Sequence, residues 1–231
     1  MSLLTIIQDA SARLGFTTPT SVIASTDTIT IQLRALANEE GYTLARRHEW
    51  QALQTEHTFS TANGTESYSL PSDYSRILKE TVFNRTQRRR MLGDLTPSQW
   101  QETKSSLVTM VNPAFRIRGG SFLISPTPTA TETIAYEYIS TKWCQSALSV
   151  AQSAWAADTD TGKLDEGIMT LGIIWRYRKA KGLGYGDDMN SYEMEVNKAI
   201  MNDGARVRID TGGYERDRIP NAPVTPETIV F

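Results

Sequence analysis

Two segments with helical periodicity begin the chain and two more follow near its end, while the stretch between them favours β-strands. Apolar residues recur at helical spacing in residues 3–14 and 28–50, and again in residues 164–181 and 187–203. Neither pair of helices can bury its apolar face alone, so we predict that the two pairs pack together. The order of elements therefore predicts an α+β fold, in which a four-helix-type bundle is interrupted by a β-rich insert.

Local signals mark the ends of these helices. Gly15 follows the first helix, a position where glycine commonly ends helices. Thr26 or Asp27 can cap the second helix. Asp165 and Glu166 favour the start of the third, because the amino end of a helix carries partial positive charge.

The middle of the chain alternates polar and apolar residues. Gly119 and Gly120 separate two alternating segments, a pattern that predicts a two-residue β-hairpin. Residues 133–139 alternate again. We therefore predict a sandwich-like or barrel-like unit at residues 53–142, followed by a connecting loop at residues 143–162.

These patterns divide the chain into regions. We predict that residues 1–52 and 163–208 form the bundle and that residues 209–231, here called the C-terminal arm, are extended. Glycine and proline at five positions of the arm exclude a helix: Gly212, Gly213, Pro220, Pro223 and Pro226. An extended segment without a core binds through apolar anchors, so we expect the arm to dock on another chain.

Composition excludes several classes of function. His48, His57 and Cys144 are the only histidines and cysteine, whereas a structural zinc site needs about four such ligands. A single cysteine also excludes an internal disulfide. The net charge of -2 argues against a dedicated nucleic-acid binder, and no segment approaches the ~20 apolar residues of a membrane-spanning helix. We expect no cofactor, no metal and no membrane contact.

Four other motifs have a plain structural interpretation. Glu39 and Glu40 point about 100° apart on a helix, so we interpret them as a solvated face rather than a catalytic pair. Residues 158–162 resemble the start of a calcium loop but lack its spacing, which favours a polar loop. We predict that Cys144 is a buried thiol and that residues 182–186 form a turn between helices, since no strand precedes them as a phosphate loop requires.

Four arginines form the main concentration of charge in the chain: Arg85, Arg88, Arg89 and Arg90. Arginine grips phosphates and carboxylates with paired hydrogen bonds. The run is therefore either an exposed turn between strands or a contact surface. We nominate it as a tail or subunit interface, and a nucleic-acid-binding module that uses the same run stays open as an alternative.

Six segments then occur in a fixed order: LRALANEEGYTLARRHEWQAL at 33–53, YSLPSDY at 68–74, FNR at 83–85, FRIRGG at 115–120, IAYEY at 134–138 and WRYRKAKG at 175–182. This series resembles the head-to-tail adaptor (connector) proteins of short-tailed, podovirus-type phages. The resemblance covers about residues 3–205, and its specificity lies in the order of the segments. No segment is a catalytic fingerprint, so the resemblance implies a structural virion protein and no enzyme.

The resemblance implies an assembly as well as a fold. Such adaptors form a ring, usually of twelve copies, between the portal and a downstream tail or nozzle protein, and genome DNA passes through the lumen without specific binding. The chain would be assembled in the host cytoplasm and would reside in the neck of the virion. The resemblance also implies that the arm clasps the portal, and the residues nominated for this contact are Ile209, Tyr214, Arg216, Arg218, Ile219, Ile229, Val230 and Phe231.

A cell-wall glycosidase stays open as a further alternative, because tail components sometimes carry one. Its carboxylate pair would come from Glu80, Asp94 and Glu102, although their spacing gives no support.

Overall fold

The structure is a computed structural model that describes residues 2–105 and 112–204. Within these residues the chain forms the following helices: α1 (Leu3–Arg13), α2 (Thr28–Arg47), α3 (Pro97–Ser105), α4 (Glu166–Ala180) and α5 (Gly186–Asp203). The strands are β1 (Gln54–Ser60), β2 (Ser67–Ser69), β3 (Tyr74–Ile77), β4 (Phe83–Asn84), β5 (Arg89–Arg90), β6 (Ala114–Arg118), β7 (Ser121–Ser125), β8 (Thr133–Ser140), β9 (Cys144–Gln145), β10 (Ala151–Gln152) and β11 (Thr161–Gly162). The predicted α+β class is confirmed.

The helix ends follow the capping signals of the sequence. Asp27 and Asp165 accept hydrogen bonds from the backbone N–H of the third residue of α2 and α4 respectively, as N-caps do. Gly15 has a φ of 79° just past α1. Helix α2 ends at Arg47, earlier than predicted, where the indole Nε1 of Trp50 donates to the carbonyl oxygen of Leu44 at 2.7 Å. That bond satisfies one of the orphan carbonyls at the end of the helix.

Helix α4 packs against α1, α2 and α5, and one apolar core joins the four. On the apolar face of α2, Leu33, Ala37, Leu44 and Ala45 are buried, whereas Leu36 is partly exposed. Helix pairs from the two ends of the chain thus share a core, as neither could bury its apolar face alone.

The β insert consists of two sheets that face each other across a second core. In the first sheet β8 lies at the centre, paired with β1 on one side and with β3 and β4 on the other, while β5 extends β4. The second sheet has the order β2-β7-β6. Phe122 and Tyr136 stack between the sheets with ring centroids 5.3 Å apart. The predicted hairpin is confirmed, because Gly119 and Gly120 both have the positive φ that its turn requires.

Residues 143–162, predicted as a connecting loop, instead contain the small antiparallel sheet β10-β9-β11. Trp143, Cys144 and Trp155 from this segment are buried in the core shared by the helices. The ring of Trp143 lies against Gly41 of α2, where an added Cβ would be 2.3 Å from it. The segment is therefore held against the helices rather than passing over them.

The predicted burial of Cys144 is confirmed: the side chain is fully buried, and burial raises its pKa to about 12. Among residues 2–105 and 112–204, no helix combines the length and the apolar character that a membrane crossing requires.

Candidate interaction surfaces

The nominated arginines lie on the hairpin that joins β4 to β5, here called the arginine turn (residues 85–90). Arg85 follows β4, Arg88 closes the turn with a φ of 55°, and Arg89 and Arg90 form β5. The hairpin is the exposed strand-connecting turn that the sequence allowed as one of two interpretations.

Carboxylates nearby already engage part of this positive charge. The guanidinium of Arg85 lies 2.9 Å from Glu56, and that of Arg90 lies 2.9 Å from Glu80. Arg88 makes no ion pair with any residue in the part of the chain that the structure describes. Because carboxylates of the same chain partly neutralise these cations, we expect the turn to bind phosphates weakly, which disfavours the nucleic-acid alternative.

A shallow recess of about 570 Å³ opens beside the arginine turn on the outer face of the first sheet. Phe83, with 41% of its surface exposed, and Ala135 supply apolar walls. Glu56 and Glu137 line it as well and stand opposite each other on β1 and β8. An apolar centre with a charged rim is typical of a protein contact surface.

Charge reversal at Arg88 tests whether the arginine turn contacts a protein or a nucleic acid. If the arginine turn forms the predicted tail interface, Arg88→Glu should weaken attachment to the tail about tenfold, since it inverts one cation at the rim. DNA retention in a filter-binding assay should stay unchanged. Arg118→Glu, an exposed reversal on β6, is the matched control. Loss of DNA retention with normal tail attachment would instead favour the nucleic-acid module.

All the residues nominated for portal contact, from Ile209 to Phe231, lie outside the described residues. The structure nevertheless shows where the last described segment ends. The carboxylate of Asp203, at the end of α5, accepts a hydrogen bond from the backbone N–H of Gln51 at 2.9 Å and lies 3.5 Å from His48 Nε2. Helix α5 therefore ends at the junction of the helices with the β insert.

The interpretation of Glu39 and Glu40 as a solvated face was right for Glu39 and wrong for Glu40. The Glu39 side chain is 61% exposed, whereas that of Glu40 is fully buried. Glu40 pairs with the guanidinium of Arg176 and accepts a hydrogen bond from the Tyr192 hydroxyl at 2.8 Å. Gly172 makes room for this carboxylate, because an added Cβ there would lie 2.3 Å from it. The cluster fixes α2, α4 and α5 together.

The aspartates of the loop at 158–162 are likewise used inside the chain. Asp158 accepts hydrogen bonds from the backbone N–H groups of Val22 and Ile23 and from the hydroxyl of Ser21. Burial alone would raise the pKa of Asp158, but these hydrogen bonds outweigh it and lower the pKa. Asp160 accepts from two backbone N–H groups of its own loop. The loop therefore holds two segments of the same chain together. The described residues contain no cluster of three or more metal-binding side chains.

Two of the carboxylates considered for a glycosidase are also engaged in structural contacts. Glu80 pairs with Arg90, and Asp94 accepts a hydrogen bond from the backbone N–H of Ile117 at 3.0 Å. Glu102 lies exposed on α3. The structure gives the glycosidase alternative no added support.

Large apolar side chains are exposed on two helices, a feature that the sequence reasoning missed. On α2, Ile31 is 42% and Tyr42 is 55% exposed. On α5, Met194 is 59% and Met201 is 78% exposed. Apolar side chains that lie exposed on one helix face are candidates for an interface, because contiguous apolar surface marks interaction sites.

Comparison with known protein families matches residues 1–220 to the family described as SU10 adaptor protein. The matched range contains every described helix and strand, and it extends into the C-terminal arm beyond the limit of the motif series at about residue 205. No curated protein matches the chain.

Proposed function

Because the chain belongs to the SU10 adaptor protein family, a family of phage head-to-tail adaptors, we propose that it forms a ring joining the portal to the tail. The observation that carries the proposal is the family match over residues 1–220. The family consists of structural phage proteins, which accords with a chain that has no catalytic motif. It also supports a place in the virion.

The finer assignment of parts rests on the fold and on the resemblance. We assign the shared core of α1, α2, α4 and α5 to the ring wall, in a four-helix-type arrangement (residues 1–52 and 163–208). The β insert (residues 53–142) carries the arginine turn and its recess and would face the tail. The C-terminal arm would reach the portal, and the ring lumen would line the path of the DNA.

Net charge supports the lumen assignment. Twenty-four basic residues are balanced by 26 acidic ones. A channel wall rich in Lys and Arg would hold the DNA backbone and slow its passage, because phosphate contacts dominate protein affinity for DNA. A nearly neutral chain is better suited to passage without binding.

Imaging and mass measurement with and without the portal test the proposal directly. We expect mass photometry to show a complex with the portal that has gained several multiples of 25.8 kDa, about twelve if the ring is complete. Negative-stain images should show a ring coaxial with the portal. A chain that stays monomeric with the portal present would contradict the proposal, whereas a monomer in its absence would not, since the portal can template the ring.

A further inference from the structure

Two helices each present an exposed row of side chains with the same spacing. The α2 stripe consists of Ala35, Glu39 and Tyr42, and the α5 stripe consists of Met194, Lys198 and Met201; all six are exposed. Each set follows the spacing i, i+4, i+7, which places its three side chains on one helix face over about 10 Å. The two stripes therefore have equal length and equal spacing.

The two stripes are also complementary in chemistry. Glu39 at the centre of one would stand opposite Lys198 at the centre of the other. Ala35 and Tyr42 on either side of Glu39 would meet Met194 and Met201. Methionine is flexible and fits the shape of its partner, and tyrosine is enriched at the energetic centres of interfaces. The small Ala35 would lie against Met194 at one end, and the ring of Tyr42 would lie against Met201 at the other. The result would be a packed contact around a central ion pair.

The central charges are only weakly engaged within the chain. Lys198 pairs with Glu195 at 2.6 Å, but both side chains are largely exposed. Glu39 lies 3.5 Å from Arg176 Nε, whose main partner is the buried Glu40. Solvent screens the Lys198–Glu195 pair, and the exposed Glu39 is only the second partner of Arg176, so Glu39 and Lys198 can exchange partners at little cost.

Helix direction sets the register of such a contact. Within one subunit α2 and α5 run in the same general direction. Glu40 of α2 contacts Tyr192 in the first half of α5, and Gln51, just after α2, contacts Asp203 at the end of α5. Our proposal places α2 and α5 along the axis of the ring, and rotation about that axis preserves the direction of such helices. Helix α2 of one copy and α5 of the next are then parallel as well, which pairs Ala35 with Met194, Glu39 with Lys198 and Tyr42 with Met201.

We propose that the α2 stripe of one copy packs on the α5 stripe of the next copy, in this parallel register, to form the contact between ring subunits. The inference rests on the proposed ring. The contact is heterologous, with a different surface on each side, which is the kind that closes into a ring rather than a two-fold dimer.

Charge exchange across the contact provides the test, in assembly on the portal followed by mass photometry. Glu39→Lys and Lys198→Glu should each lower the assembled fraction about tenfold, and the chain that carries both substitutions should recover it. Glu102→Lys, an exposed reversal on α3, is the matched control and should assemble normally. Thermal unfolding of each variant should match that of the unmodified chain, which serves as the check that the subunit is folded.

Cysteine cross-linking tests the register. In a chain with Ala35→Cys and Met194→Cys, oxidation of the assembled complex should give a ladder of covalent multimers. The native thiol at Cys144 is fully buried and should not take part. A chain with Ala35→Cys and Leu148→Cys, whose second site is 87% exposed and off both stripes, should give none.

The outcomes separate the two proposals. Normal assembly of both charge variants without a ladder would overturn the stripe contact and leave the ring standing. A ladder from Ala35→Cys with Met201→Cys, but not with Met194→Cys, would overturn the parallel register. If the unmodified chain fails to multimerise with the portal, the proposed function and this contact both fall.

Discussion

Replacing Glu40 with alanine is expected to lower the free energy of unfolding by about 3–5 kcal/mol, the usual cost of breaking a buried ion pair from one side. The substitution leaves the guanidinium of Arg176 without its buried partner and removes the acceptor of the Tyr192 hydroxyl. A cation in the interior has lost its hydration, so it depends on that carboxylate. Urea unfolding followed by tryptophan fluorescence measures the loss.

The neighbouring residue supplies the control. Glu39→Ala removes a carboxylate of the same kind that is 61% exposed and lies 3.5 Å from Arg176, so we expect a loss below about 1 kcal/mol. Replacing both Glu40 and Arg176 with methionine should cost less than Glu40→Ala, because no charge is then left unpaired. Equal losses for Glu39→Ala and Glu40→Ala would contradict the dependence on burial.

The burial of Glu40 could be predicted from the sequence only in part. Glu40 continues the spacing of Leu33, Ala37 and Leu44, all of which are buried on one face of α2. That spacing places residue 40 on the buried face of α2, but a buried carboxylate is stable only when a cation lies beside it. Its partner lies 136 residues away on α4. A single sequence does not show which distant charge enters the same core.

Elements governed by local chemistry were predicted closely. The cap of α2 at Thr26 or Asp27, the acidic start of α4 at Asp165 and the Gly119–Gly120 hairpin depend on residues within a few positions of each other. The strands β9, β10 and β11 were missed because each has two residues, too few to display a period. Their pairing depends on the packing of Trp143 and Trp155 against the helices.

The candidate surfaces differ in the same way in how far the sequence alone could predict them. The arginine turn was recognised from its composition alone, whereas the α5 stripe was not. Methionine would ordinarily be assigned to a core, yet Tyr192 and Val196 occupy the buried face of α5 and leave Met194 and Met201 exposed. Which apolar residues remain outside is decided by how α5 rotates against α4, and that depends on the whole fold.

Removal of residues 209–231 is expected to leave a folded subunit that no longer joins portal-bearing heads. Within residues 2–105 and 112–204 the two cores already join α1, α2, α4, α5 and each sheet, so we expect thermal unfolding to be unchanged. Loss of all the nominated anchors together should lower the yield of complete virions by at least about 100-fold. In vitro completion of purified heads with each form of the protein, followed by plaque counting, gives the measurement.

A shorter deletion locates the contact within the arm. The family match ends at residue 220, so it includes the nominated anchors up to Ile219 but not residues 221–231. Removing residues 221–231 eliminates Ile229, Val230 and Phe231 but keeps the anchors up to Ile219, and we therefore expect a smaller loss than for 209–231. An equal loss would place the portal contact at the terminal apolar residues. Normal virion yield from the longer deletion would show that the arm is not the portal clasp.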